Sequence, residues 1–252
     1  MKLDISNITF SREDIIKGFK LPTKTSIDLA YLCGVLAGDG NIHIRKNKYD
    51  YAIKCVGNPK DEQEFYYIVI CPLFKKIFGL KIIPKLLDKN TTFGITLWSK
   101  ALVKFLTETI GLPSGAKHPS LRIPKIFDTK ELKLAFIQGV ADTDFCFNLK
   151  KCGRTVIVGA SKTRQFMEEI SKEVEELGIK MWKGFDYKIK DDRLKKGFCI
   201  TNRIEIGSKK SILIWLNNIG FRSPKHLEKI RRWKCGRVAG DGFEPTTLLK
   251  QE

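Results

Sequence analysis

The sequence predicts an α+β protein of two pseudo-symmetric halves, each ordered helix–hairpin–helix–hairpin–helix. Three observations point there. Two stripes of small residues, Ala30/Gly34/Gly38 and Ala135/Gly139/Thr143, share an i, i+4, i+8 spacing and lie 105 residues apart. The same alternation of helical and β-rich segments follows each stripe. Later landmarks recur in the same order: Val56-Gly57 as Val158-Gly159, Ser99-Lys100 as Ser208-Lys209, Gly111 as Gly220, Lys117-His118 as Lys225-His226. Offsets that drift by a few residues through hairpins mark a duplication.

Residues 1–26 read as an irregular arm with one short helix, SREDIIKGF. A helix starts near Ile27, with Ser26 or Thr25 as N-cap. IHIRKNKYDYAIKCVG is a hairpin turning at Lys46–Asp50. KDEQEFYYIVICPLFKKIFG is a helix that Pro72 kinks or divides. KIIPKLLDKNTTFGITLW is a second hairpin, turning at Asp88–Asn90, and SKALVKFLTETIG is a helix ended by Gly111. A Pro- and Gly-containing connector leads to the second copy. There ELKLAFIQGVADTDF is helical, FNLKKCGRTVIVGA is a hairpin turning near Cys152–Gly153, and KTRQFMEEISKEVEELG is a helix. A long hairpin follows over residues 180–207, then SKKSILIWLNNIG as a helix closed by Gly220. The segment after it is a basic connector compatible with helix. The expected division is an arm (1–26), a first repeat (27–125), a second repeat (126–237) and a loose tail (238–252).

Composition narrows the partners. Lys and Arg number 46 against 28 Asp and Glu, a net charge of +18. A soluble chain this basic is expected to meet a polyanion, nucleic acid first. The charge is uneven: Lys180–Lys196 holds seven basic and three acidic residues, and Arg222–Arg237 seven and one. No apolar run reaches the length of a membrane span, and nothing at the N-terminus suggests export. The seven cysteines form no CxxC, and the three histidines lack zinc spacing. They are expected to be free, mostly buried thiols of an intracellular, reducing compartment, cytoplasm or organelle matrix.

The glycine-rich stretch YLCGVLAGDG poses a physical problem. Each interior glycine costs a helix roughly 0.8–1.0 kcal/mol against alanine. Small residues every fourth position make one smooth face. Two such faces can approach until the backbones touch, and close packing recovers the loss. Each helix then ends in an aspartate, Asp39 or Asp144. Two adjacent carboxylates are costly without a cation. Hard oxygen donors on a basic protein suit Mg²⁺, and the main-chain carbonyls of Gly38 and Thr143 would add to the set. With DNA bound, such ions activate water and stabilise the leaving oxygen in phosphodiester hydrolysis.

Residues 32–40 (LCGVLAGDG) resemble the LAGLIDADG motif, and residues 137–145 (IQGVADTDF) resemble its second copy. The chain therefore resembles a single-chain LAGLIDADG homing endonuclease of the intron-encoded kind, over about residues 27–235. The resemblance implies that the two motif helices pack at the centre. It also implies saddle-shaped antiparallel sheets whose concave faces lie along the DNA major groove. The expected partner is double-stranded DNA, and the expected reaction is a metal-dependent double-strand break at a long site, promoting intron homing. The expected cofactor is Mg²⁺, with Mn²⁺ able to replace it. A monomer needing no protein partner and no membrane is expected, since both copies lie in one chain. The alternative of the same fold is an RNA maturase or an inactive nucleic-acid binder.

By that resemblance, Asp39 and Asp144 hold metal, and Lys117 and Lys225 occupy the positions of the site lysine. Asn58 stands where a polar amide is often found, whereas its counterpart is Ala160. Phe145 departs from the motif's final glycine, so the backbone there is expected to differ. Asp142, at an earlier motif position, is read as structural. The strand residues expected to contact DNA are Arg45, Lys46, Lys48, Lys54, Lys150, Lys151, Arg154, Lys188, Lys190 and Arg193. About half should face it, because alternate strand residues share a face. Trp182, Phe185 and Tyr187 are read as packing residues rather than stacking platforms.

Overall fold

Ser26 opens the first central helix, accepting the Leu29 N–H on its hydroxyl and satisfying one orphan donor of the first turn. This helix, α2 (Ile27–Gly38), is buried on every side. Its counterpart, α6 (Lys130–Asp144), is capped by Thr129, whose hydroxyl accepts the Leu132 N–H. The computed structural model describes residues 1–241 apart from 46, 48, 118, 150–153 and 193–194, with residues 236–241 as backbone alone.

The two helices touch backbone to backbone. A Cβ placed on Gly34 would overlap the carbonyl oxygen of Phe136, and one on Gly139 would overlap that of Tyr31. One on Gly38 would overlap the Thr143 hydroxyl. The small-residue stripes therefore form the seam between the halves.

Each central helix runs directly into an antiparallel sheet. In the first half, β1 (Gly40–Arg45), β2 (Asp50–Gly57), β3 (Lys85–Leu87) and β4 (Thr92–Trp98) are ordered β1-β2-β4-β3. In the second, β5 (Phe145–Leu149), β6 (Thr155–Ser161), β7 (Trp182–Lys190) and β8 (Phe198–Ile206) are ordered β5-β6-β8-β7. The identical order supports the duplication seen in the sequence. One face of each sheet carries the apolar core: Ile42, Ile53 and Ile95 in the first, Phe147, Ile157 and Ile206 in the second. The helices of each half cover that face, and the other face is open.

Helices α3 (Gln63–Phe65) and α4 (Cys71–Phe78) are joined by a π-helical turn, Tyr66–Ile70. Pro72 does not divide this run. The π turn just before it changes the hydrogen-bond register, which accommodates the missing proline N–H. Helix α5 (Lys100–Lys104) also continues as a π turn, Phe105–Ile110, ended by Gly111 at φ 92°. The second half supplies α7 (Arg164–Glu175) and α8 (Lys209–Asn218). Ser99 and Ser208 cap α5 and α8 alike, each hydroxyl accepting an N–H three residues on.

The arm packs onto the first half. Leu3, Phe19 and Leu21 are buried in its core, and Ser99 donates to Asp14 of α1 (Arg12–Ile16) at 2.7 Å. The basic connector of the second half is helical, α9 (Pro224–Asp241). Among the described residues no helix is long and apolar enough to cross a membrane. The described cysteines are all free, but only Cys33 and Cys55 are buried; Cys71, Cys146 and Cys199 are half-buried and Cys235 is exposed. The thiols are thus more open than composition suggests, because three sit on the flank of a helix or on a sheet rather than in the core. Cys152 lies outside the described residues.

Candidate active site

The close approach of α2 and α6 brings their C-terminal ends together. Asp39 is the C-cap of α2, in αR conformation, and Asp144 is the last residue of α6. A Cβ placed on Gly38 would stand 3.3 Å from Asp144 Oδ2, so the second carboxylate lies against the first helix. Phe145 follows in extended conformation and stacks on Trp215 at 5.6 Å. In the first half, by contrast, a side chain at Gly40 would collide with the Leu36 backbone. The motif's departure at Phe145 therefore changes the exit of the helix and leaves the acid in place.

Burial dominates the electrostatics. It raises Asp39 to about 7, assisted by the charges of Asp144 and Glu62 and opposed by Lys225 and Lys117. It raises Asp144 to about 6, opposed by the same two lysines. Burial also lowers Lys117, while Asp144 and Asp39 work to keep it charged. Cys55 and Tyr66 form a buried wall beside Asp39, the thiol 3.6 Å from the phenol oxygen.

The two lysines do not play symmetric parts. Lys117 Nζ donates to the Gly38 carbonyl. Lys225 Nζ pairs with Glu62, and the other Glu62 oxygen accepts the Asn58 N–H at 2.5 Å. Glu62 is buried and belongs to the site, yet sequence reading passed over it. It stands among Asp61 and Glu64 at a helix start, where acids are common, and Arg164 occupies the matching place in the second repeat. Asn58 is not brought to the carboxylates by its side chain. Its Oδ1 accepts the Lys60 N–H at 2.8 Å, closing the turn that Pro59 demands.

The residues present fit a hard cation. The donors are oxygens, two of them carboxylates that burial leaves wanting a positive partner, and Gly38 O already receives an ammonium group. Thr143 offers only its main-chain carbonyl, since its hydroxyl donates back to Val140 O at 2.9 Å and packs on Gly38. Among the described residues no group of three or more His, Cys, Asp or Glu is assembled for a metal. Any ion would have to complete its shell from main chain, water or substrate, as Mg²⁺ readily does.

Asp142 is structural, as its motif position suggested. Its carboxylate accepts the Tyr31 hydroxyl at 2.5 Å and the N–H groups of Arg222 and Ser223 at 2.9 Å. It thereby holds the chain entering α9, and with it Lys225. The Arg222 guanidinium lies 4.1 Å from the Tyr31 ring centre and reaches Gln138 and Asp28.

The expected DNA-facing residues separate by sheet face. Arg45 and Lys54 lie on the open face of the first sheet, and Arg154 stands exposed at the start of β6. Lys188 and Lys190 do not join them. They pair with Ile200 and Phe198 on the opposite face. Simple alternation from Trp182 would place both on the open face, but a β-bulge between Gly184 and Tyr187 inserts a residue and inverts the pattern. Asp186, at φ 52°, is the bulged position, and its N–H is held by the buried Asn202 at 2.9 Å. Tyr187 and Ile189 turn onto the open face instead. Trp182 and Tyr187 meet edge-on at 6.0 Å yet remain about half exposed, at 49% and 47%. They are surface residues, contrary to the packing expectation, because the open face has nothing covering it. Phe185 is half-buried beneath the Arg164 guanidinium, 5.5 Å away. Lys46, Lys48, Lys150, Lys151 and Arg193 lie outside the described residues.

No protein-family model and no curated protein matches the sequence. Solved structures match the fold. A mesophilic variant of the homing endonuclease I-DmoI aligns with a TM-score of 0.53 at 18% identity, over 77% of this chain and 95% of that one. This chain shares the fold of that structure. I-DmoI in complex with DNA and Ca gives 0.56 at 16% identity, covering 82% of this chain and 97% of its own. I-DmoI with DNA and Mn gives 0.53 at 17%, covering 77% and 96%. The two-half α+β architecture expected from the motif copies is thus also the architecture of these neighbours.

Proposed function

We propose that the protein is a site-specific DNA endonuclease that makes a double-strand break by divalent-metal-dependent hydrolysis, in the service of intron homing. The observation that carries this reading is the pairing of Asp39 and Asp144 at the abutting helix ends, flanked by Lys117 and Lys225. Support also comes from the net charge of +18 and from neighbours of the same fold solved with DNA and Ca or Mn.

Asp39 and Asp144 would hold the cation, with the carbonyls of Gly38 and Thr143 as further donors. When bound, a hard divalent ion lowers the pKa of a water and neutralises charge on a scissile phosphate. The chain's own groups supply the rest. Lys117 and Lys225 place ammonium groups beside the carboxylates, where a phosphate's developing charge would be stabilised. Glu62 fixes Lys225, while Gly38 O holds Lys117 in the metal-free protein and would pass from the ammonium group to the ion when one binds. The buried wall of Cys55 and Tyr66 keeps water from one side of Asp39.

The test is cleavage of DNA carrying the uninterrupted intron-insertion junction, with Mg²⁺. The wild type should cut both strands, while Asp39→Asn and Asp144→Asn should lose cutting and keep binding in Ca²⁺. Tight binding without any cutting by the wild type would overturn the nuclease reading in favour of a binder.

A further inference from the structure

The two open sheet faces are chemically different. The first presents Asn41, His43, Arg45, Lys54, Lys85 and Thr96, with Val56, Leu87 and the exposed Trp98 among them. Hydrogen-bonding and charged groups predominate there, five of those named lying on strands β1 to β3. The second, among the described residues, presents Val158, Ala160, Trp182, Tyr187, Ile189 and Cys199, with Asn148 at the far end of β5. Its charged strand residues, Arg203 and Glu205, neutralise each other at 2.5 Å. An apolar, uncovered patch of this kind marks a contact surface on a soluble protein.

The patch is also built rather than incidental. Without the bulge at Asp186, Lys188 and Lys190 would occupy the places now taken by Tyr187 and Ile189. The buried Asn202 holds that bulge with its Oδ1, and its amide nitrogen is anchored on Ser161 O and Lys162 O at 3.2 and 3.1 Å. Gly184 lacks the Cβ that would strike the Trp182 ring, so the indole lies flat across the face. Two positively charged residues, Arg154 and Lys180, rim the depression that Trp182 and Tyr187 line. The face is continuous with the candidate active site, because β5 begins at Phe145, next to Asp144.

We infer that the two halves read DNA by different chemistry: the first by hydrogen bonds to base edges, the second by apolar contact with the C5-methyl groups of thymines. The inference rests on the nuclease reading. In the major groove a thymine differs from cytosine by that methyl and by its acceptor, and Ala, Thr and similar apolar side chains recognise the methyl. Val158, Ala160 and Ile189 offer such contacts, while the rim cations hold phosphate. A protein surface is disfavoured as occupant, since the apolar strip is framed by Arg154 and Lys180 and no carboxylate on it is unpaired by Arg203.

The test uses the full chain in Ca²⁺ to select duplexes from a randomised pool. Thymines are then replaced by deoxyuridine in one half-site at a time, which removes only the methyl. In the half under the second sheet, each contacted methyl lost should weaken binding about fourfold. Replacement in the other half should change affinity less than twofold on that same scale. Val158→Asn should abolish the deoxyuridine effect at one position while circular dichroism stays native. If that variant does not fold, Ile189→Asn on the edge strand gives the same readout. Equal effects in both halves, or none in either, would overturn the inference and leave the nuclease reading intact. A pool that yields no enriched duplex would overturn both.

Discussion

Lys225, from the second half, forms its ion pair with Glu62 of the first, across 163 residues of sequence. Its pseudo-symmetric partner Lys117 stays within its own half, on Gly38 O. The candidate site is therefore stitched by a bond that crosses the seam in one direction only. Both members are largely buried, with side-chain exposures of 23% and 10%. A double-mutant cycle of Glu62→Gln and Lys225→Met, followed by urea unfolding, should give a coupling of about 1–3 kcal/mol. Glu62→Gln alone should cost less than removal of a deeply buried partner, because Asp39 and Asp144 remain to attract the ammonium group. A coupling near zero would mean that the pair is solvent-screened.

The seam between the helices makes a sharper demand. An exposed helix would gain about 1 kcal/mol when glycine becomes alanine. Gly34→Ala and Gly139→Ala should instead destabilise by about 2 kcal/mol or more, since each new methyl would overlap a facing carbonyl. Gly111, at a positive φ with nothing near its Cβ position, sets the comparison. Alanine there meets only backbone strain of about 1 kcal/mol. Thermal unfolding of the three variants separates the two causes, and a neutral Gly34→Ala would refute backbone contact at the seam.

Charge at the candidate site predicts how stability responds to metal. In metal-free buffer the raised pKa values of Asp39 and Asp144 mean that their charged forms oppose folding, so Asp39→Asn should leave the protein as stable as the wild type or more so. Adding Mg²⁺ should stabilise the wild type by about 2.7 kcal/mol at a hundredfold excess over Kd and so raise its midpoint. The Asp39→Asn/Asp144→Asn double variant should not respond. Calorimetry with and without Mg²⁺ decides it, and an equal Mg²⁺ response in both proteins would place the ion elsewhere.

Much of this arrangement was legible in the residues, for identifiable reasons. The seam was readable because small residues at every fourth position have one efficient use, and the second copy fixed their partner. The cap at Ser26 and the stop at Gly111 follow local rules of hydrogen bonding and φ that need no tertiary knowledge. Glu62 was not legible, because its role depends on a lysine from the other half. The facing of Lys188 and Lys190 was not legible either. One residue at Asp186 inverts the strand's alternation, and only its tether to Asn202 reveals the bulge. The open positions of Trp182 and Tyr187 follow from that same local shift and from a sheet face that no helix covers.

His226 supplies a pH signature apart from the carboxylate pair. It is 1% exposed and packs against Phe221, ring centres 4.6 Å apart with the planes tilted by 39°. Burial pulls its pKa down to about 3; Lys225 and Lys229 on its own helix add to this, and the Asp142 backbone works against it. The sign follows directly. Above pH 6.5 the ring is neutral in both folded and unfolded chains, and it contributes nothing to the pH slope. Below 6.5 the unfolded chain takes up a proton that the folded chain refuses until about pH 3, so stability falls with pH through that window. The loss is about 1.4 kcal/mol per unit, or about 2 kcal/mol between pH 6.5 and 5. His226→Phe keeps a flat ring against Phe221 and removes the proton site. Its stability relative to the wild type should therefore rise by about 2 kcal/mol as pH drops from 7 to 5, measured by urea unfolding at each pH. A difference that stays flat would show that the folded protein accommodates the charged ring, and that Ser223 and Asp142 hold this corner less tightly than their 2.9 Å contact indicates.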